Sequence, residues 1–176
     1  MKGRKNYDKL LSIMMTVVTK LSKMSNFRHG QTVMLLADGF DETPTISVLI
    51  ALREAGLRTK LVGLRSKPTA GAHGIMLIPD LSLSQLLEMK SAICALILPG
   101  GGGHLERLRQ DPRVNFILQS SADSDVAFVT IDQGAANLLE EYIRHPTRCL
   151  ALYTGESRID ELGYQIVNWL LETERE

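Results

Sequence analysis

Cysteine is scarce in this chain. Two of its 176 residues are cysteine, Cys94 and Cys149, and both lie in apolar, strand-like runs, SAICALIL and RCLALY. Two such thiols exclude the disulfide framework of small secreted domains and read as buried, reduced side chains of a cytoplasmic protein. An excess of either charge is missing too. Lys plus Arg number 20 and Asp plus Glu number 20, so the formal net charge is zero. No overall basic field draws in nucleic acid, and no acidic tail awaits a basic partner. No apolar run reaches the ~20 residues that span a bilayer. Histidine is limited to His29, His73, His104 and His145, which narrows the choice of acid–base catalyst near neutral pH. What the chain does have is a hydrophobic content of 44%, enough at this length for one well-buried domain.

Residues 1–26 differ in character from the rest. Leu10, Leu11, Met14, Val17, Val18, Leu21 and Met24 recur at helical spacing, among Lys2, Arg4, Lys5, Lys9, Lys20 and Lys23. Ser12, Thr16 and Thr19 interrupt the apolar stretch, and no small-residue cleavage site follows, which argues against a signal peptide. The segment reads as a basic amphipathic helix that docks on its own domain, on a second subunit or on a protein partner. The alternatives are a helix lying on a membrane surface and a natural start at Met24.

From residue 27 to 176 the pattern is that of one domain. QTVMLLADG, RTKLVGLRS, HGIMLIPD, SAICALILPGGGG, DVAFVTID and TRCLALYTG read as strands. Between them lie helical stretches: DETPTISVLIALREAG, LSLSQLLEMK, HLERLRQ, PRVNFILQSSADS, QGAANLLEEYIRH and ESRIDELGYQIVNWLLETERE. Asp41 or Glu42, Ser82 or Ser84, and Asp111 before Pro112 are the expected helix starts, and Gly56 is an expected stop. Strands that are continuous apolar runs, alternating with helices, predict a parallel sheet covered on both faces. Ligands of such sheets bind beyond the carboxyl ends of the strands. The residues expected at that edge are Asp38, Gly39, Phe40, Asp41 and Glu42, then Arg65, Ser66 and Lys67. Pro99 to His104, Asp132 with Gln133, and Thr154 to Glu156 complete it.

MLLADGFDE, ALREAG, LILPGGGG and VTIDQGAANLL, in this order and spacing, resemble the ThiJ/PfpI superfamily of class I glutamine amidotransferase-like proteins. The resemblance covers residues 31 to 173. It implies a flavodoxin-like three-layer α/β/α sandwich, with a mainly parallel sheet, that assembles as a homodimer. It also implies a nucleophile elbow bearing a cysteine, a glutamate from the first helix region bonded to that thiol, and a histidine beyond the elbow helix. Asp132 aligns with the elbow cysteine and Pro44 with the glutamate, and only HPTR separates the elbow helix from the last strand. The resemblance thus supports the fold but not the inherited cysteine chemistry.

Asp132 therefore has two readings. In the first it is a structural residue: Asp tolerates the positive φ expected of an elbow and caps a helix well. The domain is then a pseudoenzyme, a binding, regulatory or assembly protein. In the second, Asp132 is a nucleophile or base and His104 its acid–base partner in a small-molecule hydrolase or lyase. Backbone N–H groups of Gly100, Gly101, Gly102 and Gln133 would then bind the ligand or a developing oxyanion. His104 is the histidine expected on the site edge, with His29, His73 and His145 away from it. The edge carboxylates Asp38, Asp41, Glu42, Asp132 and Glu156, with Thr154, are candidate ligand contacts. If they converged, one would be pushed toward protonation or recruit a cation such as Mg²⁺. The preferred reading is that Asp41, Glu42 and Glu156 are solvent-facing helix caps, with no metal and no cofactor. A phosphoacceptor role would need a lysine where Thr154-Gly155-Glu156 stands.

PGGGGHLER is neither a Walker loop nor a dinucleotide fingerprint. Its glycines are read as permitting a tight turn, with capture of a small anion by exposed N–H groups as the alternative. Arg107, Arg109 and Arg113 are read as a solvated basic face. Trp169 and Tyr164, on a stripe with Ile159, Leu162, Ile166, Val167 and Leu170, are read as core or dimer surface.

Overall fold

The computed structural model describes residues 30–89, 92–124, 126–143, 148–152 and 159–173. The expected basic helix at residues 1–26 lies outside them, as do His29, His145, Thr154 and Glu156. Six strands form the main sheet: β1 (Gln31–Leu36), β2 (Thr59–Gly63), β5 (Leu81–Ser82), β6 (Ile93–Leu98), β7 (Ala127–Thr130) and β8 (Cys149–Ala151). Their order is β5-β2-β1-β6-β7-β8, and every pairing is parallel. Helices α1 (Glu42–Glu54), α2 (Leu83–Glu88), α3 (Gly102–Gln110), α4 (Pro112–Ala122), α5 (Gln133–Tyr142) and α6 (Ile159–Thr173) complete the described fold. This is the flavodoxin-like sandwich expected of the sequence.

The strands lack polar alternation because both their faces are buried. Met34, Leu36, Leu61, Ala95, Ile97, Ala127 and Val129 pack on one side with Val48, Leu52, Leu162, Ile166 and Leu170 of α1 and α6. Val33, Leu35, Val62, Leu96, Leu98 and Phe128 pack on the other with α2, α3, α4 and α5. Residues i and i+2 of each strand share a face, so each strand supplies both cores. Trp169 packs against the first core, while Tyr164 is exposed.

The helix starts follow the expected caps. Ser82 and Gln85 form a capping box at α2, and the Asp111 carboxylate accepts from the Arg113 N–H at 3.0 Å, with Pro112 opening α4. Gly56, with φ of 77°, follows the end of α1. Helices α1 and α3 leave opposite faces of the sheet after the adjacent strands β1 and β6. That reversal opens a crevice between the loop after β1 and the loop after β6.

Two expectations need correction. HGIMLIPD is not a strand of the main sheet. Instead β3 (Thr69–Ala70) and β4 (Met76–Leu77) form a separate antiparallel ribbon. Gly74, with φ of 92°, lets the chain turn back between them. A bridge between Phe40 and Gly71 lays this hairpin beside the loop after β1. Second, Cys149 is exposed and Cys94 only partly buried, and the two are not joined in a disulfide. Cys149 opens the three-residue strand β8, which among the described residues is the edge of the sheet, with no strand covering its outer side.

Gly163 tests the layer that α1 and α6 share. A Cβ added there would stand 2.5 Å from the Ala51 Cβ and 3.2 Å from the Ser47 carbonyl oxygen. Alanine is the better helix former by roughly 1 kcal/mol, but overpacking costs ~1–3 kcal/mol. Gly163→Ala is expected to lower the unfolding free energy by about 1 kcal/mol in urea denaturation. A more stable variant would show that α6 does not depend on this close approach.

Candidate functional site

The crevice between the β1 and β6 loops is closed by backbone as well as side chains. The Asp41 N–H donates to the Gly100 carbonyl at 3.0 Å. Asp132 follows β7 and Ile131 and is the N-cap of α5. Its φ of −149° and ψ of 172° are extended, so the left-handed elbow conformation expected of this position is absent. The chain turns from strand to helix through an ordinary extended cap. One carboxylate oxygen of Asp132 accepts from the Ala135 N–H at 2.6 Å. The other accepts from the Gly101 N–H at 3.2 Å. Asp132 thus caps its own helix and ties it to the glycine loop.

That loop must be glycine for a physical reason. A Cβ on Gly100 would run into the Asp132 carboxylate, and one on Gly101, whose φ is 116°, would run into the Gly39 carbonyl oxygen. The same Gly100 position lies 3.1 Å from an Asp41 carboxylate oxygen. Asp41 and Asp132 therefore converge on one glycine. Asp41 is the N-cap residue of α1, yet its side chain makes no capping bond. Burial, then the charges of Asp132 and Glu42, push its carboxyl above the ordinary value of 3.8. The two carboxylates therefore stand close enough to act on each other electrostatically.

His104, in the first turn of α3, is fully buried. Its Nδ1 accepts from the Ala37 N–H at 2.9 Å and lies 3.2 Å from the Ala37 carbonyl oxygen. The acceptor role, with the proton on Nε2, uses the shorter contact. That Nε2 is buried and has no hydrogen-bond partner among the described residues. Burial lowers the imidazole to about 4, only partly offset by the Ala37 backbone bond and the Asp132 charge. Among the described residues His104 and Asp132 share no hydrogen bond, so the expected acid–base pair is not assembled.

Glu42 is not a solvent-facing cap, because its side chain is 4% exposed. It reaches across to the hairpin and accepts from the His73 N–H at 2.5 Å, while its second oxygen lies 2.8 Å from His73 Nδ1. The Ile75 N–H, at 3.4 Å, also donates to it. Gly71 makes room, since a Cβ there would strike the Glu42 carboxylate. Burial alone would raise Glu42, but the His73 side chain and these amides outweigh it and hold the carboxyl at about 2. In return the Glu42 hydrogen bond and charge lift His73 above 6.5. His73 was expected away from the site edge. The hairpin returns it there, and the glycines of TAGAHG were the sequence signal for that turn.

The remaining candidates divide. Asp38 accepts from the Ala70 N–H at 2.8 Å and so also anchors the hairpin. Gly102 opens α3. Gln133 is exposed and bonds Asn137 in its own helix at 2.7 Å. Of the amides considered for an oxyanion, that of Gly101 is already given to Asp132. Among the described residues, no group of three or more His, Cys, Asp and Glu is placed to hold a metal ion.

Comparison with known proteins follows the same outline. The sequence model of the DJ-1/PfpI family matches residues 31–173. The chain is 26% identical over 116 residues to the Parkinson disease protein 7 homolog of Danio rerio, covering 65% of this chain. It spans 61% of that relative's length. Drosophila melanogaster DJ-1beta is similar in structure, with a TM-score of 0.70 at 17% identity, over 82% of this chain and 95% of that one. Oxidized Toxoplasma gondii DJ-1 gives a TM-score of 0.69 at 14% identity, over 83% and 94%. The ThiJ/PfpI domain protein of Brachyspira murdochii gives 0.60 at 19% identity, over 81% and 99%. At these identities the structural likeness shows the fold.

Opposite pKa shifts make the two described histidines distinguishable by NMR. His73 is expected to titrate above 6.5 and His104 only near about 4. Glu42→Gln should bring His73 back toward 6.5 and leave His104 unmoved. The sign for stability follows from each shift. Glu42, held low, contributes fully above 4.5 and loses that contribution as pH falls through about 2. His73, held high, contributes fully below 6.5 and loses it as pH rises through its folded value. The hairpin tether is therefore strongest between 4.5 and 6.5. A His73 midpoint unaffected by Glu42→Gln would show that the pair does not form in solution.

Proposed function

We propose that this chain, which belongs to the DJ-1/PfpI family, acts in the cytoplasm as a binding, regulatory or assembly protein without the family's cysteine chemistry. The observation that carries this reading is the commitment of Asp132. It stands where the family resemblance implies the elbow cysteine, and both its carboxylate oxygens accept backbone N–H bonds. Each of these bonds holds the carboxylate in place and draws charge from the oxygen that accepts it, which makes it a poorer nucleophile. The two cysteines, Cys94 and Cys149, lie on β6 and β8 rather than at the corner. His104 faces Ala37 and is held neutral by burial. Residues 27–176 form the working domain in this reading, with residues 1–26 as an added segment for docking a protein partner.

The alternative is a hydrolase or lyase that uses Asp132 with His104. The closeness of Asp41 to Asp132, and the upward push on Asp41, are what favour it. Turnover by wild type and Asp132→Asn on glyoxals, small amides, esters and phosphoesters separates the two. Asparagine also caps helices, so the variant should fold, while Asp132→Ala should lose roughly 1 kcal/mol. The expected result is no turnover above buffer by either protein. Wild-type activity that vanishes in Asp132→Asn would establish the enzyme.

Assembly as a homodimer is the second part of the proposal. Ile75, Met76 and Ile78 are 48%, 55% and 77% exposed along one arm of the hairpin. Met76 and Ile78 share one face of the arm, and exposed apolar side chains of this size mark contact surfaces. Light scattering should give twice the monomer mass for the wild type and the monomer mass for a Met76→Glu/Ile78→Glu variant. A monomeric wild type would remove the dimer from the proposal.

A further inference from the structure

A second cavity lies on the other side of the glycine loop from Asp132, beyond the carboxyl ends of β1 and β2. Its volume is about 640 Å³, within the range of small-molecule sites. Its ionisable lining comes from three separated segments: Asp38, Arg65, Lys67, Arg107, Asp111 and Arg113. The charges do not cancel. Asp111 is taken by Arg113, in a fork with contacts of 2.6 and 3.0 Å. Arg113 is further fixed by the Ser84 hydroxyl at 2.7 Å and the Leu64 carbonyl at 3.1 Å. Asp38 gives one oxygen to the Ala70 N–H. Arg107 is held through one Nη atom by the Asp38 and Gly103 carbonyls, at 3.2 and 2.8 Å. Neutral carbonyls position that guanidinium without neutralising it. Arg65 and Lys67 are exposed on the loop after β2, and the described residues give them no ion pair. Leu36, Ala37, Leu64 and Pro112 supply an apolar wall.

We propose that this cleft is a binding site for a small phosphorylated molecule. Guanidinium forks and a lysine converging from separate segments suit the several oxygens of a phosphate group. The apolar wall suits the organic body that carries it. The site goes beyond the reading of Asp132 and does not depend on it. Arg109, by contrast, is committed outside the cleft, to Glu141 at 2.8 and 3.0 Å and to Glu106 at 2.9 Å.

The test is calorimetric titration of the full chain with inorganic pyrophosphate. One saturable site is expected, weakened at least about tenfold by Arg65→Ala/Lys67→Ala and weakened by added salt. Arg109→Ala and Asp132→Asn should bind as the wild type does. Both cleft residues are exposed, so the double variant should fold, which circular dichroism checks. The proposal is overturned by no saturable binding up to ~10 mM, an affinity near the weak limit of specific recognition. Unchanged affinity in the double variant, or loss of binding in Asp132→Asn, also overturns it by placing the anion elsewhere. Saturable binding of citrate without that of pyrophosphate would reject phosphate as the recognised group.

Discussion

The Asp132 carboxylate joins two loops that the sheet topology brings to one edge. Strands β6 and β7 are neighbours, so the turn after each emerges beside the other. The bond from the Gly101 N–H fixes one turn against the other, and the bond from the Ala135 N–H starts the helix at the same point. Everything near the crevice adjusts to that carboxylate. Gly100 has no side chain because Asp132 fills its space, and Gly101 has none because Gly39 does. Asp41 sits close enough to feel the Asp132 charge, and its raised pKa is partly the electrostatic consequence.

A second carboxylate, Glu42, shows how a buried charge is made tolerable. An unpaired carboxylate would bear most of its desolvation cost. Glu42 instead collects the amides of His73 and Ile75 and the His73 ring. Because that ring is 84% exposed, the ion pair itself is screened by water and contributes modestly. The His73 ring and the amides of His73 and Ile75 thus hold the hairpin together, side chain and backbone both contributing. Asp38 adds another such bond from Ala70. The loop after β1 thus carries two acids that serve the hairpin and one, Asp41, that serves neither hairpin nor helix.

What the sequence disclosed, and what it withheld, follows from the range of the interactions. Apolar strand runs, the capping box at Ser82 and the Asp111-Pro112 start depend on residues a few positions apart, so they were legible. The glycine loop was legible as a turn, but its reason, the Asp132 carboxylate 32 positions beyond Gly100, was not. Burial of Glu42 depends on amides 31 and 33 positions away. The hairpin that supplies them has strands of two residues each, too short for any period to show. His104 was placed correctly after the glycine loop, but which way its ring faces was set by Ala37, 67 positions earlier. Helix-cap chemistry predicted the bond from Asp132 to its own helix, while the positive φ expected of an elbow is absent, since a cap needs only extended backbone.

Zero net charge conceals a division along this edge. Asp41, Glu42 and Asp132 lie in or beside the crevice, while Arg65, Lys67 and Arg107 line the cleft across the Gly103–Arg107 turn. A ligand small enough to enter one site responds to the charges that line it rather than to the net charge of the chain. An anion approaching the elbow meets carboxylates, of which Glu42 holds its charge down to about pH 2. The same anion approaching the cleft meets Arg65, Lys67, Arg107 and Arg113 against two carboxylates, Asp38 and Asp111, so cations are in excess there. The Arg107 head binds the carbonyl of Asp38 on the β1 loop and that of Gly103, one turn back on its own helix. Two sites at one sheet edge therefore differ in the ion they favour, one flanked by carboxylates and one lined by an excess of cations.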